Sequence, residues 1–96
     1  MGMVKGTTKS GIKFQIDDRI KEDTRFLLYH VKVQDPEIDP MEQARALMKI
    51  FELVFGSDEG VFKFMDAVAN AHDGICGADE LMAEWSEMLE AIKAKN

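Results

Sequence analysis

MEQARALMKIFELVFG, residues 41–56, is the stretch on which the fold class turns. Wound at about 100° per residue, it places Glu42, Arg45, Lys49 and Glu52 on one narrow polar face, with Gln43 apart from them. Ala44, Ala46, Leu47, Met48, Ile50, Phe51, Leu53, Val54 and Phe55 cover most of the remaining circumference. A surface helix normally confines its apolar residues to one stripe. A helix apolar on nearly every side is either the centre of a small bundle or the seam of an oligomer or client complex.

The flanking residues bound this helix. Asp39 is a good N-cap, Pro40 a good first helical residue, and Glu42 completes a capping box with Asp39. Gly56 closes the helix, and Ser57 can cap the next. In that third helix Val61, Phe64, Met65, Val68 and His72 share a face, and Asp73-Gly74 stops it. A fourth helix follows, with Leu81, Met82, Trp85, Met88, Leu89 and Ile92 in one stripe, acids in its first turn and lysines in its last. Upstream, a first helix is expected from Asp18 to Val33, ended by the loop QDPEIDP. It carries two stripes: Ile20, Thr24, Leu27, Leu28 and Val31 as the core side, and Phe26, Tyr29 and Val33 nearly opposite. Before it, Ile12, Phe14 and Ile16 alternate with Lys13, Gln15 and Asp17, as in a half-buried strand. A lone strand has unpaired edges, so a partner is expected, such as the same segment of a second subunit. Residues 1–11, rich in Gly, Thr, Ser and Lys, are expected to be a flexible N-terminal segment. The chain thus reads as all-α: one small four-helix domain over residues 12–96 with a short β-like arm.

Composition narrows the function. Ninety-six residues, 46% apolar and 31% charged, suit one small globular domain. No apolar run approaches the roughly 18 residues that span a bilayer, and the N-terminus lacks the apolar core of a secretory signal. A single cysteine, Cys76, has no internal partner, which points to a cytoplasmic protein. A net charge of −6 without clustered Lys and Arg argues against nucleic acid and for a protein partner.

Chemistry-bearing motifs are few. His72, Asp73, Cys76 and Asp79 lie close in sequence, but zinc sites need three or four suitably spaced ligands. His72 reads better as the end of an apolar stripe beside free helix carbonyls, and Cys76 as a small hydrophobe. An EF-hand with Gly74 at loop position 6 would put Ala69 and Ala71 where carboxylates belong. The acid pairs Asp17/Asp18, Glu22/Asp23 and Asp58/Glu59 all sit at expected helix starts rather than as general acid–base couples. No phosphate-binding loop or Ser/His/Asp spacing stands out. No catalytic residue, metal ligand or cofactor is therefore expected.

What remains is surplus apolar surface. Phe26, Tyr29 and Val33 on the first helix, and Leu47, Ile50, Phe51 and Val54 on the second, are the expected partner-binding residues. Seven methionines support adaptable contacts, and self-association is expected as well. The segments GIKFQIDDRIKEDTRFL, ARALMKIFELVFGSDEG and DGICGADELMAEWSEMLEAI, spanning about residues 10–92, resemble the small tail assembly chaperones of long-tailed phages and prophages. The likeness rests on apolar pattern, helix order and the Asp-Gly before the last helix, and it departs at Thr24, where an aromatic is expected. It implies a non-enzymatic protein of the host cytoplasm that binds the tape measure protein, and possibly tail tube subunits, before tail polymerisation. Genes of that kind often make a longer product by a −1 frameshift at a slippery run, and a terminal Lys95-Asn96 is compatible with one. A small helical regulatory or antitoxin-like binding module is the alternative.

Overall fold

The alternation of residues 12–16 does build a strand, and the strand finds its partner within the same chain. In the computed structural model, which describes residues 2–94, β1 (Met3–Thr7) and β2 (Lys13–Asp17) form an antiparallel pair. Val4 stands opposite Ile16 and Gly6 opposite Phe14. Residues 3–7 had been expected to be flexible, but Val4 gives them one buried anchor, and Gly6 leaves room for a ring. A Cβ on Gly6 would come within 2.6 Å of the Phe14 ring. No second subunit is needed to complete the pair. The connection is tight: Gly11 adopts a φ of +92°, and the Thr8 N–H donates to the Ile12 carbonyl at 2.9 Å.

The first helix begins later than its apolar pattern suggests. Asp17 caps a short 3-10 segment, Asp18–Glu22, and Asp23 then caps α1 (Thr24–Gln34) by accepting from the Arg25 N–H at 2.8 Å. The Arg25 guanidinium also donates to Asp23 and holds its carboxyl at about 2. At three residues per turn, five 3-10 residues advance the chain about 100° further than five α-helical ones. The apolar faces before and after Asp23 are therefore out of phase. Ile20 still packs on the core, but α1 turns Phe26, Tyr29 and Val33 inward and leaves Leu27, Leu28 and Val31 at 46%, 63% and 63% exposed. The two expected stripes exist; their roles are exchanged.

α2 (Pro40–Phe55) starts at Asp39, whose side chain makes no cap hydrogen bond, and Glu42 pairs with Arg45 at 3.2 Å. Gln43, isolated on the wheel, donates to the Asp35 carbonyl at 2.7 Å and so ties α2 to the end of α1. Gly56, with a φ of +80°, ends α2, and the Ser57 hydroxyl accepts from Gly60 N–H at 3.1 Å to start α3 (Asp58–Ala71). Asp73 and Gly74 both take positive φ and break α3 before α4 (Ala78–Ala94). The terminal Lys95-Asn96 lies outside the described residues.

The core answers the question posed by residues 41–56. Ile50 and Phe51 of α2 are fully buried. The Phe51 ring meets Trp85 of α4 at 5.5 Å and Phe64 of α3 at 5.3 Å, both edge-on. Phe26 of α1 meets Trp85 at 6.5 Å. Edge-to-face aromatic pairs add to what burial alone contributes. α2 is thus the hub of the monomer, with α1 and α3 on its flanks; the hairpin adds Ile12 and Ile16 to the core, with β2 against α2 and β1 against α4. The molecule is mostly helical with a small two-stranded sheet at its N-terminal end. Among the described residues no helix is long and apolar enough to cross a membrane.

Candidate functional site

Of the seven residues expected to contact a partner, four are buried in the core, Leu47 at its margin. Phe26 is 3% exposed, and Leu47, Ile50 and Phe51 are buried as well. Tyr29, Val33 and Val54 are half-buried and pack against the same core. These residues hold the monomer together, because α2 is short of neighbours and uses all of them. Open apolar surface lies in a groove that two of these residues border, on the outer face of α1, and at scattered positions such as Met41, Phe62 and Ile75.

The groove runs where the end of α1, the first half of α2, the middle of α3 and the start of α4 converge. Val33, Leu47, Met48, Met65, Leu81 and Met82 supply most of its apolar wall, and the cavity is about 440 Å³. Helical spacing places them: Ala44, Leu47 and Met48 recur at i, i+3 and i+4 on α2, and Ala78, Leu81 and Met82 do so on α4. Two of the expected contact residues, Val33 and Leu47, reach its wall. Three of its residues are methionines, whose unbranched, polarisable side chains fit irregular partners. The charged side of α2 faces away: Glu42, Arg45 and Lys49 border a separate recess with Tyr29 and Lys32.

A polar cluster between the hairpin turn, α3 and α4 escaped the sequence reading. His72, at the end of α3, places Nε2 2.9 Å from Glu84 Oε2 and 3.4 Å from Ser10 Oγ. Glu84 is 2% exposed, and its Oε1 has no hydrogen-bond partner. Burial pushes its carboxyl up, but hydrogen bonding from Thr8, His72 and Ser10 outweighs that and holds it below its ordinary value. The signal was present in the sequence: on the helical wheel Glu84 falls beside Leu81 and Met88, within the apolar stripe. A serine, an imidazole and a carboxylate invite comparison with a hydrolytic triad. There the carboxylate orients one ring nitrogen while the nucleophile uses the other. Here both partners share Nε2, and the nitrogen that donates to Glu84 keeps no lone pair for a serine proton. The cluster is a clasp instead: with the Lys9 N–H donating to Glu87 at 2.9 Å, it fastens the hairpin turn to α3 and α4. His72 was expected to serve free carbonyls at its own helix end; a buried carboxylate is the stronger acceptor, and it wins.

Cys76 is a half-buried free thiol packed against the core. Burial, with the charges of Glu80 and Asp66, raises its pKa and keeps it a weak nucleophile. Among the described residues no group of three or more His, Cys, Asp or Glu is arranged to hold a metal ion. In comparisons with protein families, curated proteins and solved structures, nothing matches the chain.

Proposed function

We propose that this protein is a non-catalytic, helix-binding assembly chaperone, of the type that holds the tape measure protein of a long-tailed phage in the host cytoplasm until the tail polymerises. The observation that carries this reading is the methionine-lined groove across α1, α2, α3 and α4. An apolar cleft between helices suits an amphipathic helix that presents anchors at i, i+3 or i+4, and i+7. Methionine walls let one cleft accept related but unequal anchors along a long helical client. The resemblance in element order supplies the biological setting, and the net charge of −6 keeps the loaded chaperone dispersed.

The test is co-expression with the tail structural proteins of the source phage, followed by pull-down. The tape measure protein is expected to co-purify. Met48→Glu and Met82→Glu each place a charge in the groove wall and should weaken capture at least tenfold while circular dichroism stays native. Undiminished capture by both variants, or capture of no tail protein by the folded wild type, would overturn the proposal.

A further inference from the structure

The hairpin offers a second, chemically different docking site. The Asp18 N–H donates to the Gly2 carbonyl and the Thr8 N–H to the Ile12 carbonyl. Those closing bonds fix the parity of the ladder. In an antiparallel pair, residues that bond across alternate with residues whose N–H and C=O point outward. Counting inward from Gly2/Asp18 and Thr8/Ile12, the bonded pairs are Val4/Ile16 and Gly6/Phe14. Lys13 and Gln15 therefore turn their backbone N–H and C=O away from β1, toward the outer edge of β2.

That edge faces a cleft rather than open solvent. Ile12, Lys13, Phe14 and Gln15 form one side, and Phe55, Gly60, Lys63, Phe64 and Ala67 the other, around about 570 Å³. Ile12 and the first three residues of β2 line it in unbroken succession, so the cleft follows the edge of the strand and not one of its faces. Its floor is aromatic. Its charges are Lys13 and Lys63, with no acid on either wall, in a chain that is acidic overall. An unpaired strand edge is a template for an added strand. Main-chain bonds then supply affinity, and pockets for alternate side chains supply selectivity.

We propose that the β2–α3 cleft binds an extended segment of a partner protein as a third strand, the segment alternating apolar residues, which enter the aromatic floor, with acidic residues, which meet Lys13 and Lys63. This site is separate from the helix groove and does not depend on it.

The probes are three seven-residue peptides: one alternating valine and glutamate, one alternating valine and lysine, and a copy of the first with its central residues N-methylated. Binding is followed by backbone amide NMR and hydrogen exchange on the full chain. The valine–glutamate peptide should bind, shift the Lys13 and Gln15 amides and slow their exchange. The lysine and N-methylated peptides should bind at least fivefold more weakly, and Lys13→Glu and Lys63→Glu should reverse the preference between glutamate and lysine. Both lysines are exposed, so these variants should keep the native spectrum elsewhere. The proposal is overturned if no peptide binds at millimolar concentration, or if the two charged peptides bind equally. It is also overturned if the shifts map to Met48, Met65 and Met82 instead. Protection of Lys13 and Gln15 that grows with protein concentration in the absence of peptide would assign the edge to a second copy of this chain, which likewise excludes the proposal.

Discussion

At the scale of single residues, acid sensitivity turns on a half-buried histidine and a buried carboxylate. His30 stacks on Phe26 at 5.7 Å, its Nδ1 is buried without a partner, and burial together with Lys93 lowers its pKa from 6.5. A depressed histidine takes up its proton more readily in the unfolded chain, so its contribution is complete above pH 6.5 and is lost as pH falls below that. Glu84 is also depressed, from 4.5, so its contribution is present above pH 4.5 and is lost as pH falls through its lower folded value. Thermal melts should show the melting temperature falling in two stages on acidification. His30→Phe should remove the stage that sets in below pH 6.5 and Glu84→Gln the stage that sets in below pH 4.5; a wild-type melting temperature that is flat from pH 7 to 3 would refute both assignments. Because His72 is partly exposed, removing it should cost about 2 kcal/mol, less than the 3–5 kcal/mol lost when a fully buried pair is broken. Neither histidine's setting was legible from spacing alone. Glu84 lies 12 positions from His72, and Ser10 lies 62, so the cluster exists only once α3, α4 and the hairpin turn meet.

At the scale of elements, caps and periodicity located the helices well, since Gly56, Ser57 and Asp73-Gly74 each act through local backbone chemistry. What periodicity could not give was the phase of α1. A wheel drawn from Asp18 assumes one helix, and the 3-10 turn before Asp23 invalidates it. The consequence is measurable. Phe26→Ala should cost about 3–5 kcal/mol, as a large aromatic truncation in a packed core does. Leu28→Ala, on the open face, should stay within about 0.5 kcal/mol. Chemical denaturation decides: a silent Phe26→Ala beside a destabilising Leu28→Ala would restore the opposite phase. The hairpin shows the same limit. Alternation identified β2, but β1 carries a single buried apolar residue, Val4, too little pattern to read as a strand without its partner.

At the scale of the whole molecule, the open surfaces with the most to offer a partner are the methionine groove, the β2 edge, and the outer face of α1 with Leu27, Leu28 and Val31. The first two have shapes that select an occupant. The third is a flat apolar stripe, suited to contact between copies. Light scattering at micromolar concentration should show species heavier than 10.8 kDa, favoured by added salt because like-charged chains repel. Leu28→Glu should return the 10.8 kDa monomer. A wild-type monomer at every salt concentration would refute this. The composition alone showed that apolar surface was in excess, but which side chains supplied it depended on how the helices packed. The clasp at the hairpin turn also imposes a timetable. Lys9 bonds Glu87, 78 positions away, and a ribosome adding about 5–20 residues per second needs several seconds to bridge that interval. Throughout it the nascent hairpin lacks α4, against which β1 packs in the finished fold, so that side of it is uncovered during translation. Slowing synthesis ahead of α4 should therefore lower the yield of native protein, even though the finished sequence is unchanged.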